Sequence, residues 1–344
     1  MWHNKPMNRV CITPRVISMG GVGSFRLKFE EGLRVRGIDV TYDLADPLVD
    51  VILILAGTKN LVGLWGAKKR GVPIVQRLDG INWIQRKRWT GVRYHLRAEY
   101  GNALLAFTRR YLADGIIYQS AFTQGWWENW YGETRVPKQI VHNAVDLQVY
   151  SPDVEGERPT DRFRIVVVEG SLAGGLDFGL NWALRLTEML SAQLEMELLV
   201  VGNVDQRRQA DYQARTSALV KFLGVVPREQ IPSIDRSSHL YFSAEVNPPC
   251  PNAVIEALAC GTPVLGFDTG SLSELVPPQA GRVVLYGGSP WDLDEPDIPA
   301  LAKAAAEILE NQSGFRQGAR SHAEQKLGLD AMVEQYLEFL LSMK

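Results

Sequence analysis

Twice along the chain the same order recurs: a short apolar run, a glycine-rich turn, then a segment with helical spacing. Residues 10–12 (VCI) lead into Gly20-Gly21-Val22-Gly23 and then residues 24–36, where Phe25, Phe29 and Leu33 recur every four positions. That spacing puts the three side chains on one face of a helix. Further apolar runs lie at 38–41, 51–55, 73–76, 115–119 and 139–142. After the polar segment 151–161 (SPDVEGERPTD) the order restarts: residues 163–168 (FRIVVV), the turn 169–175 (EGSLAGG), and a helix from about 177 to 190. More runs follow at 197–201, 220–222, 240–242, 263–266 and 282–285. Runs that are apolar on both faces and bounded by turn residues suit strands covered on both sides, and helices between them imply parallel crossovers. The expected fold class is therefore α/β, two doubly wound Rossmann-like domains facing across a cleft. The expected bounds are 1–150 and 151–325, followed by a C-terminal helical segment, 326–344. In that last segment Met332, Tyr336, Phe339 and Leu340 repeat at helical spacing, so the helix must pack on something. The first domain is one candidate, which periodicity does not decide.

Composition narrows the function classes. A chain of 344 residues suits two domains. A net charge of −2 argues against a dedicated nucleic-acid binder. Cys11, Cys250 and Cys260 show no pairing pattern, which fits a reducing compartment. The first ten residues lack the apolar core of a signal peptide, and no stretch approaches the roughly 20 apolar residues that span a bilayer. A soluble, cytoplasmic protein is expected. His3, His95, His142, His239 and His322 are scattered without metal-ligand spacing, so neither a protein-held metal nor another cofactor is expected. The hydrolase elbow GxSxG and the phosphate loop GxxxxGK[ST] are both absent.

The glycine turns are where chemistry can enter. Glycine lets backbone approach a ligand closely, and a helix N-terminus offers unpaired N–H groups to an anion. GxGxxG is absent from the first turn, which weakens a nicotinamide reading, and a purely structural turn is the alternative. Two such turns on facing domains suit a diphosphate, because ligands in open parallel sheets bind beyond the carboxyl ends of strands.

The most specific stretch is residues 243–270, SAEVNPPCPNAVIEALACGTPVLGFDTG. Residues 250–264 resemble the signature of the retaining glycosyltransferases of family 4, the group 1 glycosyltransferases, whose fold is GT-B. Gly20–Gly23, His142-Asn143-Ala144-Val145-Asp146 with Ser151-Pro152, residues 200–202 and 220–224, and the D-x-G-x-x-x-E turn from Asp268 to Glu274 resemble further family motifs in order. The resemblance spans about residues 8 to 340, thinly between about 40 and 130. It implies that Glu256 accepts hydrogen bonds from the ribose hydroxyls of a nucleotide-sugar, since two carboxylate oxygens match a vicinal diol. It implies that Gly20 and Gly21 put backbone N–H groups on the diphosphate. Cys250, Pro251, Asn252 and Ala253 would then lie beside the donor sugar or its β-phosphate.

The chain departs from that pattern at three points. Pro248 stands where the family has a sugar-contacting Glu, so Asn247 or Asn252 must take over sugar recognition. Ser171 and Gly174 stand near the places of the family's Arg and Lys, leaving charge stabilisation to backbone amides around Gly174 and Gly175, to Arg15, or to another basic residue. No His aligns securely with the family's N-terminal pocket His. Asp79, at the carboxyl end of an apolar run, is the candidate for orienting or deprotonating the acceptor hydroxyl, with a turn cap as the alternative.

Residues 83–97 (WIQRKRWTGVRYHLR) carry Arg86, Lys87, Arg88, Arg93 and Arg97 among aromatic rings. They read either as a solvated helix face with core tryptophans, or as a seat for an anionic acceptor or the inner membrane surface through Arg86, Lys87, Arg88 and Arg93. Trp126, Trp127 and Trp130 are either sugar-stacking rings or core. The resemblance implies a retaining, metal-independent transferase that moves a sugar from a nucleotide-sugar to a hydroxyl of a carbohydrate, lipid-linked or small-molecule acceptor. An epimerase of the same fold and a catalytically weak nucleotide-sugar-binding protein are the rivals.

Overall fold

A computed structural model describes residues 7–16, 20–152, 158–171 and 178–344. Its contacts divide the chain into unit 1, Met1–Asn143 with Leu329–Lys344, and unit 2, Ala144–Gly328.

Unit 1 holds β1 (Arg9–Thr13), α1 (Gly21–Val35), β2 (Asp39–Thr41), β3 (Val51–Leu55), α2 (Leu61–Lys69), β4 (Ile74–Leu78), α3 (Val92–Phe107), β5 (Gly115–Tyr118), α4 (Ala121–Tyr131) and β6 (Lys138–Ile140). Its strands form one parallel sheet in the order β2-β1-β3-β4-β5-β6. Every residue of β3, β4 and β5 is buried, as a strand covered on both faces requires. β4 runs past the expected end at 76 because Gln76 and Arg77 are buried polar residues inside an otherwise apolar strand. Side-chain caps start two of the helices: Asn60 accepts from the Gly63 N–H for α2, and Ser120 from the Thr123 N–H for α4.

The last helix of the chain belongs to this unit. We number the remaining helices α5 to α12, and α12 (Leu329–Ser342) packs on α1. The Tyr336 ring lies 5.1 Å from Phe25 and 5.2 Å from Phe29. Gly32 makes this approach possible, since a Cβ there would stand 2.5 Å from Val333 Cγ2. Arg36 closes the seam with Asp330 and Glu334.

Unit 2 holds β7 (Phe163–Ser171), α5 (Phe178–Ser191), β8 (Met196–Asn203), α6 (Gln206–Arg215), β9 (Leu219–Gly224), α7 (Ile231–Arg236), β10 (Leu240–Phe242), α8 (Asn252–Ala259), β11 (Val264–Phe267), α9 (Leu272–Leu275), β12 (Gly281–Val284), α10 (Ile298–Glu310) and α11 (Gln312–Lys326). Its parallel sheet runs β12-β11-β10-β7-β8-β9. Alternate residues feed two cores, as the two-residue period of a strand dictates. Ile165, Val167, Leu198, Val200, Leu240 and Phe242 meet α5 and α10 on one face. Val166, Leu199, Val201 and Tyr241 meet α8 and α11 on the other. The chain starts in the middle of the sheet, builds outward to β9, and returns to the far side of β7 with β10. The order therefore reverses between β7 and β10, and ligands of such sheets bind at that point, beyond the strand ends.

Candidate functional site

Of the expected glycine turn 169–175, residues 169–171 instead continue β7 to its end and the rest lies outside the described residues, while the segment 243–251 that opens the family-like stretch follows β10. β10 pairs directly with β7, with Tyr241 opposite Val166, so the segment after β10 begins beside the last residues of β7. The 243–251 loop is clamped against the one after β11. Asn247 takes a left-handed backbone (φ 55°) and its N–H meets Thr269 Oγ1 at 3.4 Å. The Pro248 carbonyl accepts from the Ser271 N–H at 2.8 Å. Gly270, also left-handed at φ 62°, lies so close that a Cβ there would stand 2.4 Å from Pro248 N and O. Asn247 is buried, and its Nδ2 has no hydrogen-bond partner among the described residues, which leaves a pre-placed donor at the head of the loop.

The loop delivers the chain into α8. Pro251 precedes the first helical residue, and Asn252 and Ala253 form the half-buried first turn. Val254, Ile255, Ala257 and Leu258 bury the helix in the core. Glu256 sits on the same helix, largely buried, with Oε1 3.7 Å from Arg228 Nη2. Arg228 comes from the turn after β9, a stretch in which no site residue is expected from sequence. Two further groups surround this pair. The buried Tyr150 hydroxyl is held well above the usual range by burial and then by the charge of Glu256. Asp235 on α7 is buried with both carboxyl oxygens lacking a hydrogen-bond partner among the described residues. Burial first, and the Glu256 charge second, hold its carboxyl well above the ordinary carboxylate range, which favours the protonated form.

A second carboxyl stands at the strand ends. Glu169, half-buried at the end of β7, is pushed up to about 8 by its removal from water and then by the like charge of Glu245, which follows β10. Both residues lie in the two motifs that point to the site, and neither carries an assignment from sequence. Their proximity depends on the β7–β10 pairing of segments about 75 residues apart, which local spacing does not reveal.

The expected site residues thus separate by unit. Unit 2 gathers Asn247, Cys250, Pro251, Asn252, Ala253 and Glu256 around α8 and the loop before it. Cys250 is buried. Ser171 ends β7 in register with Asn203, while its side chain, and Gly174 and Gly175 entirely, lie outside the described residues. In unit 1, Gly20 caps α1 and Gly21 is its first residue, so the N–H groups of this turn stand at a helix N-terminus. The Arg15 guanidinium rests over the Tyr42 ring, 4.7 Å from its centroid.

Asp79 is the hub of a network in unit 1. Its Oδ1 accepts from Arg77 Nη1 at 2.6 Å and from Gln119 Nε2, and its carbonyl accepts from Trp127 Nε1 at 2.7 Å. The fully buried Arg77 also donates to Asn143 Oδ1 at 2.8 Å and covers the Phe25 ring. One carboxylate oxygen is therefore committed to holding a buried cation.

The basic, aromatic segment resolves residue by residue. Trp83 is buried, and so are Trp126 and Trp127, so of the sugar-stacking and core readings the last two take the core one. Arg86 is tied to Glu99 at 2.6 Å and lies over the Trp130 ring, and this pairing first of all draws Glu99 down to about 2. Among the described residues no group of three or more His, Cys, Asp or Glu side chains is placed to hold a metal ion. No helix among them is long and apolar enough to cross a membrane.

Comparison with known proteins places the fold first. The structure superposes on sucrose-phosphate synthase from Thermosynechococcus elongatus with a TM-score of 0.73 at 15% identity, covering 98% of this chain and 99% of that one. It superposes on Anabaena HepE, solved with UDP-glucose, with a TM-score of 0.71 at 15% identity, covering 97% and 99%. The two six-stranded parallel sheets with their helices are the GT-B fold. Residues 164–311, from β7 to the end of α10, match the family described as Glycosyl transferases group 1. Among curated relatives, 2-deoxystreptamine glucosyltransferase of Streptomyces kanamyceticus is 25% identical over 212 residues, 55% of this chain and 54% of the relative. A 2-deoxystreptamine N-acetyl-D-glucosaminyltransferase of Streptomyces fradiae is 25% identical over 132 residues, 38% of this chain and 30% of the relative. The chain spans about half the length, or less, of these curated relatives.

Proposed function

We propose that the chain is a retaining, metal-independent glycosyltransferase that moves a sugar from a nucleoside-diphosphate sugar to an acceptor hydroxyl. The observation that carries this reading is Glu256: a largely buried carboxylate on α8, beside Arg228, inside the segment that matches group 1 glycosyl transferases. Glu256 accepts from the ribose diol, and Arg228 both orients that carboxylate and supplies positive charge that the glycine turn lacks. Asn247 Nδ2 and the N–H groups of the first turn of α8 face the sugar and its phosphate in place of the missing Glu at Pro248. Stabilising the leaving diphosphate is then the main catalytic contribution. From unit 1, Asp79 serves the acceptor hydroxyl, while Arg15 and the backbone N–H groups of Gly20 and Gly21 serve the diphosphate. That HepE was solved with UDP-glucose supports a nucleotide-sugar as donor.

The test is turnover with UDP-, GDP-, ADP- and dTDP-sugars against a panel of acceptor alcohols, with the product anomer read by NMR. A product that keeps the donor's anomeric configuration, formed at the same rate in EDTA, is expected. An inverted product or a metal requirement overturns the mechanism. Pro248, seated against Gly270, favours one second reading, a nucleotide-sugar-binding protein without turnover. Nucleotide affinity with no product across the panel would establish it, and an epimerised sugar formed without acceptor would establish an epimerase.

A further inference from the structure

The basic segment that follows Asp79 leaves one face unexplained. Along α3 and the π-helical turn after it, Val92, Leu96, Tyr100, Phe107 and Tyr111 are all exposed, spaced by four residues except for a seven-residue step from Tyr100 to Phe107. Residues at that spacing share one side of a helix. Trp89, 83% exposed, extends the stripe beyond the start of α3, and the Phe107 and Tyr111 rings meet at a tilt with centroids 5.1 Å apart. The opposite side of α3 is the one that packs, through Ala98 and Asn102. At 16 residues the helix is ~24 Å long, so the stripe is far larger than a single stray apolar residue.

Charge says what covers it. Between Asp79 and Asp114 the chain has seven Arg or Lys and a single acid, Glu99. Glu99 is held by Arg86 and Gln85, which removes Arg86 from the docking role that sequence allows it. Arg93 and Arg97 are exposed one position after Val92 and Leu96, along one edge of the stripe, and Lys87, Arg88 and Arg110 are exposed near its ends. A second copy of the same face would oppose cation to cation with no acid to pair them. An apolar, aromatic stripe edged by arginine is the make-up of a helix that lies in the plane of an anionic bilayer surface.

We propose that α3 is a peripheral membrane-docking helix, with Trp89, Val92, Leu96, Tyr100 and Phe107 entering the headgroup boundary of an anionic bilayer and Arg93 and Arg97 binding lipid phosphates. None of these residues belongs to the proposed donor set around Glu256 and the loop before α8. The test is sedimentation of the full chain with phosphatidylcholine vesicles and with vesicles that also contain phosphatidylglycerol, at low and high salt. Binding to the anionic vesicles alone, weakened by salt, is expected. Arg93→Ala with Arg97→Ala lowers that binding about 25-fold, on about fivefold per cation. Leu96→Ser with Tyr100→Ser abolishes it. All four positions are exposed, so melting temperatures should not change. Absence of binding, equal binding to neutral vesicles, or variants that bind like the wild type would overturn the proposal. So would a dimer in analytical ultracentrifugation that Leu96→Ser with Tyr100→Ser dissolves, which would assign the face to a second copy.

Discussion

Gly270→Ala probes whether the loop before α8 is held in one shape by its neighbour. Two costs follow from the geometry. The first is conformational: at φ 62° a residue with a Cβ pays roughly 1–2 kcal/mol. The second is contact: the new Cβ would stand 2.4 Å from Pro248 N, O and Cδ. Ordinary contact begins at 3.4 Å, so the Pro248 backbone must retreat by about an ångström. That movement breaks the 2.8 Å hydrogen bond from Ser271 N–H to the Pro248 carbonyl, worth about 1 kcal/mol. The sum is on the order of 2–4 kcal/mol. Gly224→Ala is the control, because Gly224 has φ 68° but nothing within 4 Å of where its methyl group would stand, so only the first cost applies. Urea unfolding should show Gly270→Ala less stable than Gly224→Ala by about 1–2 kcal/mol. Nucleotide titration should show Gly270→Ala weakened at least tenfold, because Asn247 and the start of α8 move with Pro248. Equal stabilities, together with wild-type nucleotide affinity in Gly270→Ala, would refute the clamp.

Three other outcomes follow. Glu169 has its carboxyl raised from an ordinary value of 4.5 to about 8, so the folded chain holds a proton that the unfolded chain has released between those pH values, and stability falls as pH rises through that window. Glu169→Gln should therefore gain melting temperature relative to the wild type between pH 4.5 and 8 and match it below; a pH-independent difference would contradict this. The neutral Glu169 also spares a diphosphate a like charge, so wild-type nucleotide affinity should drop above about pH 8 and Glu169→Gln should not show the drop. Asp79→Ala leaves the buried Arg77 without its carboxylate and should cost about 3–5 kcal/mol in unit 1, whereas Asp79→Asn should be milder, and indifference in urea unfolding of Asp79→Ala would dismiss the network.

How far the sequence reaches depends on the range of the interaction involved. The strands are legible because burial on both faces writes continuous apolar runs such as residues 51–55 and 163–168. Glu256 is legible because its helix lies within one long local motif. Arg228 is not, because it meets Glu256 through the turn after β9, nearly thirty residues earlier. Glu169 and Glu245 meet only through strand pairing. Periodicity likewise misses the fate of α3, since an i, i+4 apolar stripe reads the same whether it is covered or, as at Leu96 and Tyr100, exposed. The tryptophans show the converse: Trp126 and Trp127 look the same in sequence as Trp89, yet their helix turns them into the core.

The account stands or falls on Glu256 and the ribose. Calorimetric titration of wild type and Glu256→Gln with UDP, GDP, ADP and dTDP measures it directly. The wild type should bind one of these, and Glu256→Gln should lose about ten- to a hundredfold, the equivalent of about 1.5–3 kcal/mol for a charged hydrogen bond. A folded Glu256→Gln that binds the same nucleotide with undiminished affinity would contradict it.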